Sequence, residues 1–550
     1  MKITGAAAVL EIIKENNIDT VFGYPGGSIL PIYDELCRSG RNIRHIRGAG
    51  EQGSAHAADA YARVSGKTGV VFATSGPGAT NLVTALATAQ ADSSPLVAIT
   101  GNTVTDKIGR DSFQEVYITG ITMPVTKHNF VIRRANELVP SLRRAFEIAR
   151  EGRCGAVLVD IPKNILTSLV SYTPKKQSVP KIPHAKKSDI NKLAKLINNS
   201  ERPLIYFGGG IISAGACGEL YELCSRFELP ACHSLMGTGV LPHDFRYNIG
   251  LAGMHGSMCS AKIIGECDLL IALGTRFSDR VAGEGSEFAH EAKRVHIDID
   301  DAEISKNIRI SLGIQADAKQ VLSQLCTVLS KKDRHEWLSH IKDAQRSLSI
   351  SYPASDAFSP TDIIGILSKT ADENAVIVTD VGQHQMWTAQ LYPFRYPKTF
   401  VTSGGLGTMG FGMGAAVGVC EAHREKQVFL ITGDGSFHMD LNELSTAVRY
   451  KLPVKIIIMN NASLGMVRQW QHLYYGRRYT ETDELSQTDF VMLARAFGAG
   501  GVCVRTREEY AKALKEAVKS DMPYVIDCRI GKDFEVMPLI DANGSDIIMR

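Results

Sequence analysis

Asp434 stands in a Gly433-Asp434-Gly435-Ser436 turn, and 27 positions further on Asn461 closes a Met459-Asn460-Asn461 run. A carboxylate and an amide oxygen are hard donors suited to Mg²⁺, and the backbone carbonyl of Ser463 offers a third. Gly433 and Gly435 permit a tight turn, and the free N–H groups of a helix starting after Ser436 would face an anion. Metal and helix end together would seat a diphosphate. Alone, Asp-Gly is a hairpin turn and Asn-Asn a strand end; the surrounding pattern decides between the readings. Val428 to Thr432 is an apolar run, Leu441, Leu444, Ala447 and Val448 follow at helical spacing, and Val454 to Met459 is a second apolar run after Pro453. This predicts strand, turn, helix and strand: a right-handed βαβ unit that sets the C-terminal ends of two parallel strands side by side.

Such a unit needs a larger sheet around it. Strand and helix signals alternate in three blocks, residues 1–170, 188–330 and 360–530, with a tail over 531–550. Each block is expected to be a doubly wound, mainly parallel α/β domain. Between them lie Thr173 to Asp189, with Pro174, Pro180, Pro183 and five lysines, and Lys331 to Pro360, a charged helical stretch ending in Pro353 and Pro360. A chain of 550 residues has ample length for several cores. Its net charge of +3 gives no electrostatic case for nucleic acid. Eleven cysteines without a Cys-x-x-Cys spacing read as reduced core residues, which favours the cytoplasm. At the start of the sequence Glu11, Lys14 and Glu15 interrupt the apolar Ala6 to Leu10, so neither a signal peptide nor a membrane span is expected there.

From Met1 to beyond Met537 the chain resembles the catalytic large subunits of the acetohydroxyacid (acetolactate) synthase family, a branch of the thiamine-diphosphate enzymes. The resemblance implies a pyrimidine-binding first block, an FAD-binding middle block and a diphosphate-binding third block. It assigns Asp434, Asn461 and Ser463 to Mg²⁺, and Gly433, Gly435 and Ser436 to the diphosphate. Glu51, in Gly50-Glu51-Gln52-Gly53 ahead of a helical segment from Ser54 to Arg63, would hold the aminopyrimidine ring and promote proton loss at the coenzyme's reactive carbon. An acid so near a helix start also complements the helix dipole. Tyr24 and Gly26, in Phe22 to Gly27, and Pro77, in Thr74 to Asn81, would line the same cleft. Phe113, Gln114, Lys127 and His128 fall in segments near the substrate channel, with Gln114 and Lys127 as further catalytic candidates.

In the third block the resemblance gives Gly382, Gln383 and His384 to the diphosphate. Gly407 and Met409 lie in a glycine-rich bend whose methionine wedges under the thiazolium, an orienting role. Met466 would touch the coenzyme and Trp470 would line the pocket of the second keto acid. In the middle block Gly208 and Gly209 follow an apolar strand, a weak nucleotide signal alone. Met254, His255, Gly274, Thr275, Arg276, Asp298, Ile299, Asp317 and Ala318 would surround FAD, with Arg153 from the first block, and Arg280 would face a substrate carboxylate. Three departures stand out: Gly48-Ala49-Gly50 replaces the family's Val-Arg-His, Ser278 an aspartate, and Gly414 a proline expected to stiffen a helix start.

The implied reaction condenses pyruvate with a second 2-oxo acid, pyruvate or 2-oxobutyrate, releasing CO₂ in branched-chain amino acid synthesis. The implied assembly is a homodimer or tetramer with active sites at subunit interfaces and a possible regulatory small subunit. Two other readings stand beside it: another thiamine-diphosphate decarboxylase or carboligase, and a catalytically silent cofactor-binding paralogue.

Overall fold

The computed structural model describes every residue except 41–42, 177–180, 284, 286–287, 350–351, 353–355, 484–487, 541–546 and 549–550. Pro180 and Pro353, expected in the two linkers, lie outside the described residues.

Val- and Ile-rich runs buried on both faces build three six-stranded sheets flanked by helices, as α/β patterning predicts. The first contains Thr20–Gly23, Arg44–Arg47, Gly69–Ala73, Leu96–Asn102, His128–Val131 and Ala156–Pro162. Numbered in chain order, these strands lie 2-1-3-4-6-5, all pairings parallel. The third sheet, Val376–Thr379, Phe400–Val401, Val428–Gly433, Lys455–Asn460, Gly500–Val504 and Tyr524–Arg529, repeats the order 2-1-3-4-6-5. The middle sheet differs. Its strands, Pro203–Phe207, Ala231–His233, Asn248–Leu251, Leu269–Leu273, Lys293–Asp298 and Leu312–Gln315, are parallel in the order 3-2-1-4-5-6, that of dinucleotide-binding folds.

The chain forms two compact units. One holds residues 1–181, 375–384 and 401–530, so the first and third sheets share it; the other holds 182–374, 385–400 and 531–550. In the first unit, helices Glu51–Ser65 and Gly412–Ala422 cross backbone on backbone: a Cβ on Gly418 would lie 2.0 Å from the Ala57 oxygen, and one on Gly414 2.6 Å from that of Gly53. Gly414 is the third residue of its helix, and its N–H donates to Asp440 (3.0 Å). A proline has no N–H to give, so the departure at 414 fits the close crossing rather than loosening the helix. In the second unit, helix His335–Ser347 occupies the expected charged stretch and packs Trp337 and Ile341 into the core.

Two helix starts differ from the sequence expectation. The segment expected from Ser54 begins at Glu51, and the one expected after Ser436 begins at Asp434. Gly53 and Gly435 read as turn residues, but tertiary packing overrides their low helix propensity. The helical pattern beyond Ser436 is broken into Asp434–His438, a 3₁₀ turn Leu441–Glu443 and Leu444–Arg449.

Candidate active site

In the third sheet, strands Val376–Thr379, Val428–Gly433 and Lys455–Asn460 are consecutive neighbours, so the turns after them share one edge. Gly433 pairs with Met459, which sets Asp434 and Asn461 just past the ends of adjacent strands, about 5 Å apart in the sheet direction. Both side chains are buried. The Asn461 amide oxygen accepts the Ser463 N–H (3.1 Å), and the Ser463 carbonyl accepts the Gly465 N–H (2.8 Å); each oxygen keeps a second lone pair. Among the described residues no group of three or more His, Cys, Asp or Glu can hold a metal. A carboxylate, an amide and a carbonyl form the hard oxygen set that Mg²⁺ takes, so the donors fit.

The turn after Val376–Thr379 is laced to its neighbour. Ser436 donates its hydroxyl to the Val381 carbonyl (2.9 Å), and the His384 ring lies against Gly433, where a Cβ would come within 3.1 Å of Nδ1. Burial pushes His384 down to about 3, so the ring is neutral at physiological pH. Gln383 donates to Gln469 (2.9 Å) and its oxygen approaches the Asn461 amide (3.4 Å). Its closeness to Gly465 (2.0 Å to a Cβ) explains a glycine there. Asp380, given no role by sequence reading, is the anchor. Its buried carboxylate accepts the N–H groups of Val381 (2.7 Å), Gly410 (2.9 Å) and Gly412 (2.9 Å), which fixes the bend carrying half-buried Met409. Burial raises it to about 7. Gly407 takes a left-handed φ of 73° and Gly410 one of 83°, the backbone this bend requires. Met466 and Trp470 sit half-buried on helix Gly465–Tyr474, outside the hydrophobic core.

In the first sheet, strands 2, 1 and 3 carry the expected turns at adjacent ends. Glu51 is the first residue of its helix, and the Asn81 amide donates to its carboxylate (3.0 Å). A Cβ on Gly78, next to Pro77, would lie 3.1 Å from the same carboxylate, so the Thr74–Asn81 turn wraps it. The turn with Tyr24 and Gly26 is tied in through Ser28, whose hydroxyl meets Thr74 (2.8 Å) and accepts the Ser75 N–H (2.9 Å). Gln114 adopts a left-handed φ of 58° against Gly76, strain of a kind that collects at functional sites. Phe113 is 89% exposed. Lys127 is placed otherwise than catalysis asks: its ammonium donates to the carbonyls of Ile148 (2.6 Å), Glu151 (2.6 Å) and Arg153 (2.8 Å), closing the end of helix Leu138–Arg150. Arg153 donates to Ser93 (2.8 Å).

In the middle sheet, Gly208 to Gly210 meet Gly274 backbone to backbone; a Cβ on Gly208 would lie 2.6 Å from the Gly274 oxygen, with Gly209 opening helix Gly209–Ser213. His296 meets the Thr275 carbonyl (2.8 Å), and Asn307 donates to those of Arg276 (2.9 Å) and Phe277 (3.0 Å). Asp298, next to Ile299, accepts the Asp300 N–H (2.9 Å). Asp317 caps the helix begun by Ala318 through the Gln320 N–H (3.0 Å). The Met254 N–H donates to the Arg280 carbonyl (2.8 Å), while the His255 ring is buried and pushed down to about 4. Glycine-only backbone at the carboxyl ends of strands in the order 3-2-1-4-5-6 fits a dinucleotide such as FAD.

Family models of thiamine pyrophosphate enzymes match the chain in three places. The N-terminal TPP binding domain covers residues 3–121, the central domain 190–325 and the C-terminal TPP binding domain 380–528. An acetolactate synthase of Mycobacterium bovis is 43% identical over 564 residues, covering 99% of this chain and 91% of that protein. An acetolactate synthase large subunit of Corynebacterium glutamicum is 42% identical, covering 99% and 90%. An acetolactate synthase of Arthrospira platensis is 42% identical, covering 99% and 97%. With three matching domains and this identity along almost its whole length, the chain belongs to the acetolactate synthase large-subunit family of thiamine pyrophosphate enzymes.

Proposed function

We propose that the protein uses thiamine diphosphate and Mg²⁺ to condense pyruvate with a second 2-oxo acid. The products are CO₂ and 2-acetolactate, or 2-aceto-2-hydroxybutyrate when the acceptor is 2-oxobutyrate, both precursors of branched-chain amino acids. The observation that carries this reading is the presence of Glu51, Asp434 and Asn461 at strand-end turns in a chain more than 40% identical to proteins named acetolactate synthase.

Asp434, Asn461 and the Ser463 carbonyl hold the metal and through it the diphosphate, beside the glycine turn and the neutral His384 ring. Asp380 keeps the Met409 bend in place, which sets the coenzyme's conformation. Glu51, oriented by Asn81, would hold the pyrimidine ring and has a carboxylate placed to hold or move a proton. Thiamine diphosphate, when bound, supplies the electron sink that lets CO₂ leave. Arg280 has the fork of donors suited to a substrate carboxylate, and Phe113, Gln114 and Trp470 are the further substrate candidates. The Gly208–Gly210 and Gly274 turns, with Thr275, Arg276 and Asp298, would hold FAD, which would serve a structural role.

Phe113, Tyr117, Ile121 and Met123 expose apolar side chains within one segment, at 89%, 71%, 41% and 64%, a clustering that marks interaction surfaces. This supports a homodimer in which Glu51 of one chain and Asp434 of the other complete each site. The printed name of the Corynebacterium glutamicum relative, a large subunit, supports a regulatory partner. No helix among the described residues is long and apolar enough to cross a membrane, and all eleven cysteines are free, which supports a reducing cytoplasm.

The test is incubation with pyruvate, Mg²⁺, thiamine diphosphate and FAD, omitting each in turn. Acetolactate that disappears without the coenzyme or metal is expected. Acetaldehyde alone would point to a decarboxylase, and coenzyme binding without turnover to a silent paralogue.

A further inference from the structure

The helix that presents Glu51 has no local cap. Its N-cap residue, Gly50, has no side chain and is extended, at φ −155° and ψ 170°. Ala49 and Gly48 before it bring no polar group either. Yet the turn is not loose. The carboxylate of Glu443, nearly 400 positions away and 1% exposed, accepts the N–H groups of Ala49 (3.0 and 3.1 Å) and Gly50 (3.0 Å). From the other side Ser54 donates its hydroxyl (2.7 Å) and its N–H (3.1 Å) to the Gly50 carbonyl. Both backbone polar atoms of Gly50, the residue before Glu51, are thus held.

The glycines here are a condition of that grip. A Cβ on Gly53 would lie 2.3 Å from the Glu443 Oε1, and one on Gly48 2.2 Å from the Ser54 hydroxyl and 3.2 Å from Oε1. Glu443 itself is aimed by Thr446, whose hydroxyl donates to Oε2 (2.6 Å). Two consecutive backbone N–H groups on one buried carboxyl, itself aimed by the Thr446 hydroxyl, hold the backbone ahead of Glu51.

We propose that Glu443 is a positioning residue for Glu51: it replaces the absent cap and holds the Ala49–Gly50 peptides so that the Glu51 carboxylate stays on its reacting partner. The proposal rests on the role given to Glu51 above. Burial raises the Glu443 carboxyl, and Asp440 lies beside it; a buried acid is costly unless its donors are in place.

Two readouts on the full-length protein test this, with Glu443→Ala, Glu443→Asp and Glu443→Gln. The first is amide hydrogen exchange over residues 48–54 without coenzyme. The second, with thiamine diphosphate and Mg²⁺ bound, is deuterium exchange at the coenzyme's reactive carbon. In Glu443→Gln the remaining oxygen still accepts both N–H groups, so both readouts stay within about threefold of the parent. Glu443→Ala, or Glu443→Asp should the alanine variant fail to fold, speeds amide exchange and slows coenzyme exchange by about tenfold or more, with coenzyme affinity little changed. Parent-like amide protection in those variants overturns the proposal, as does lost protection with undiminished coenzyme exchange. Parent-rate coenzyme exchange in Glu51→Gln overturns instead the role of Glu51 on which the proposal rests.

Discussion

The first and third sheets are one plan used twice. Each runs 2-1-3-4-6-5, and each buries an aspartate on its sixth strand, held by an asparagine of the fourth. Asp160 accepts from Asn102 (2.5 Å) and Asp527 from Asn460 (2.9 Å), and in both the asparagine stands opposite the position two residues past the aspartate. The edges differ. The third carries Asp434, Asn461 and a self-contained scaffold in which Asp380 ties its own bend. The first carries Glu51 on a turn that borrows its hold from Glu443. A shared topology supplies a crevice, and the turns decide whether it grips a metal diphosphate or moves a proton.

The two halves also hold each other in the reverse direction. Arg63, from the Glu51 helix, pairs with Asp59 (2.6 Å) and Asp92 (3.0 Å) and donates to the Thr402 carbonyl (2.7 Å). Asp92 in turn accepts the Gly405 N–H (2.6 Å) on the approach to Met409. Breaking that link is the harshest test of the comparison. Arg63→Ala leaves two buried carboxylates without their partner and should cost about 3–5 kcal/mol, read as an earlier onset of urea unfolding. An unchanged onset would mean the halves stand independently.

The paired aspartates sharpen the comparison. Burial raises both: Asp527 in spite of Arg529 beside it (2.9 Å), and Asp160, with no such cation among the described residues opposing it, to about 6 from 3.8. Below pH 4 Asp160 is protonated in both folded and unfolded chains. Between pH 4 and 6 the unfolded chain ionises first, so stability falls as pH rises, by about 3 kcal/mol in all, and stays low above 6. Asp160→Asn should flatten that slope in urea midpoints taken from pH 4 to 7. A slope as steep as the parent's would place its origin elsewhere.

The smallest effect concerns Lys127. As a helix-end cap it should cost about 1–2 kcal/mol when replaced by methionine, with turnover within a few-fold of the parent. A stable Lys127→Met protein with turnover reduced by about 100-fold would restore the catalytic role its sequence neighbourhood suggests.

Much of this was legible from residue order. Apolar runs ending in Gly-Asp-Gly and Asn-Asn marked two strand ends, and the βαβ spacing made them neighbours. What stayed hidden depended on distance along the chain. Nothing local connects Glu443 with Ala49, Asp380 with Gly412, or Arg63 with Thr402. Asn81 lay within a recognised motif, yet its aim at Glu51 follows only from the fold. The helix starts at Glu51 and Asp434 were masked by Gly53 and Gly435, which signal turns locally but are required by close packing against Glu443 and Leu464.

The division of labour between the two edges is tested most directly by one paired experiment. Coenzyme affinity in the presence of Mg²⁺ and acetolactate turnover are measured for Asp434→Asn and Glu51→Gln. Asp434→Asn should lose about 100-fold or more in affinity, whereas Glu51→Gln should bind normally and lose about 100-fold or more in turnover. Equal losses of affinity in the two variants, or full turnover in Glu51→Gln, would contradict the account.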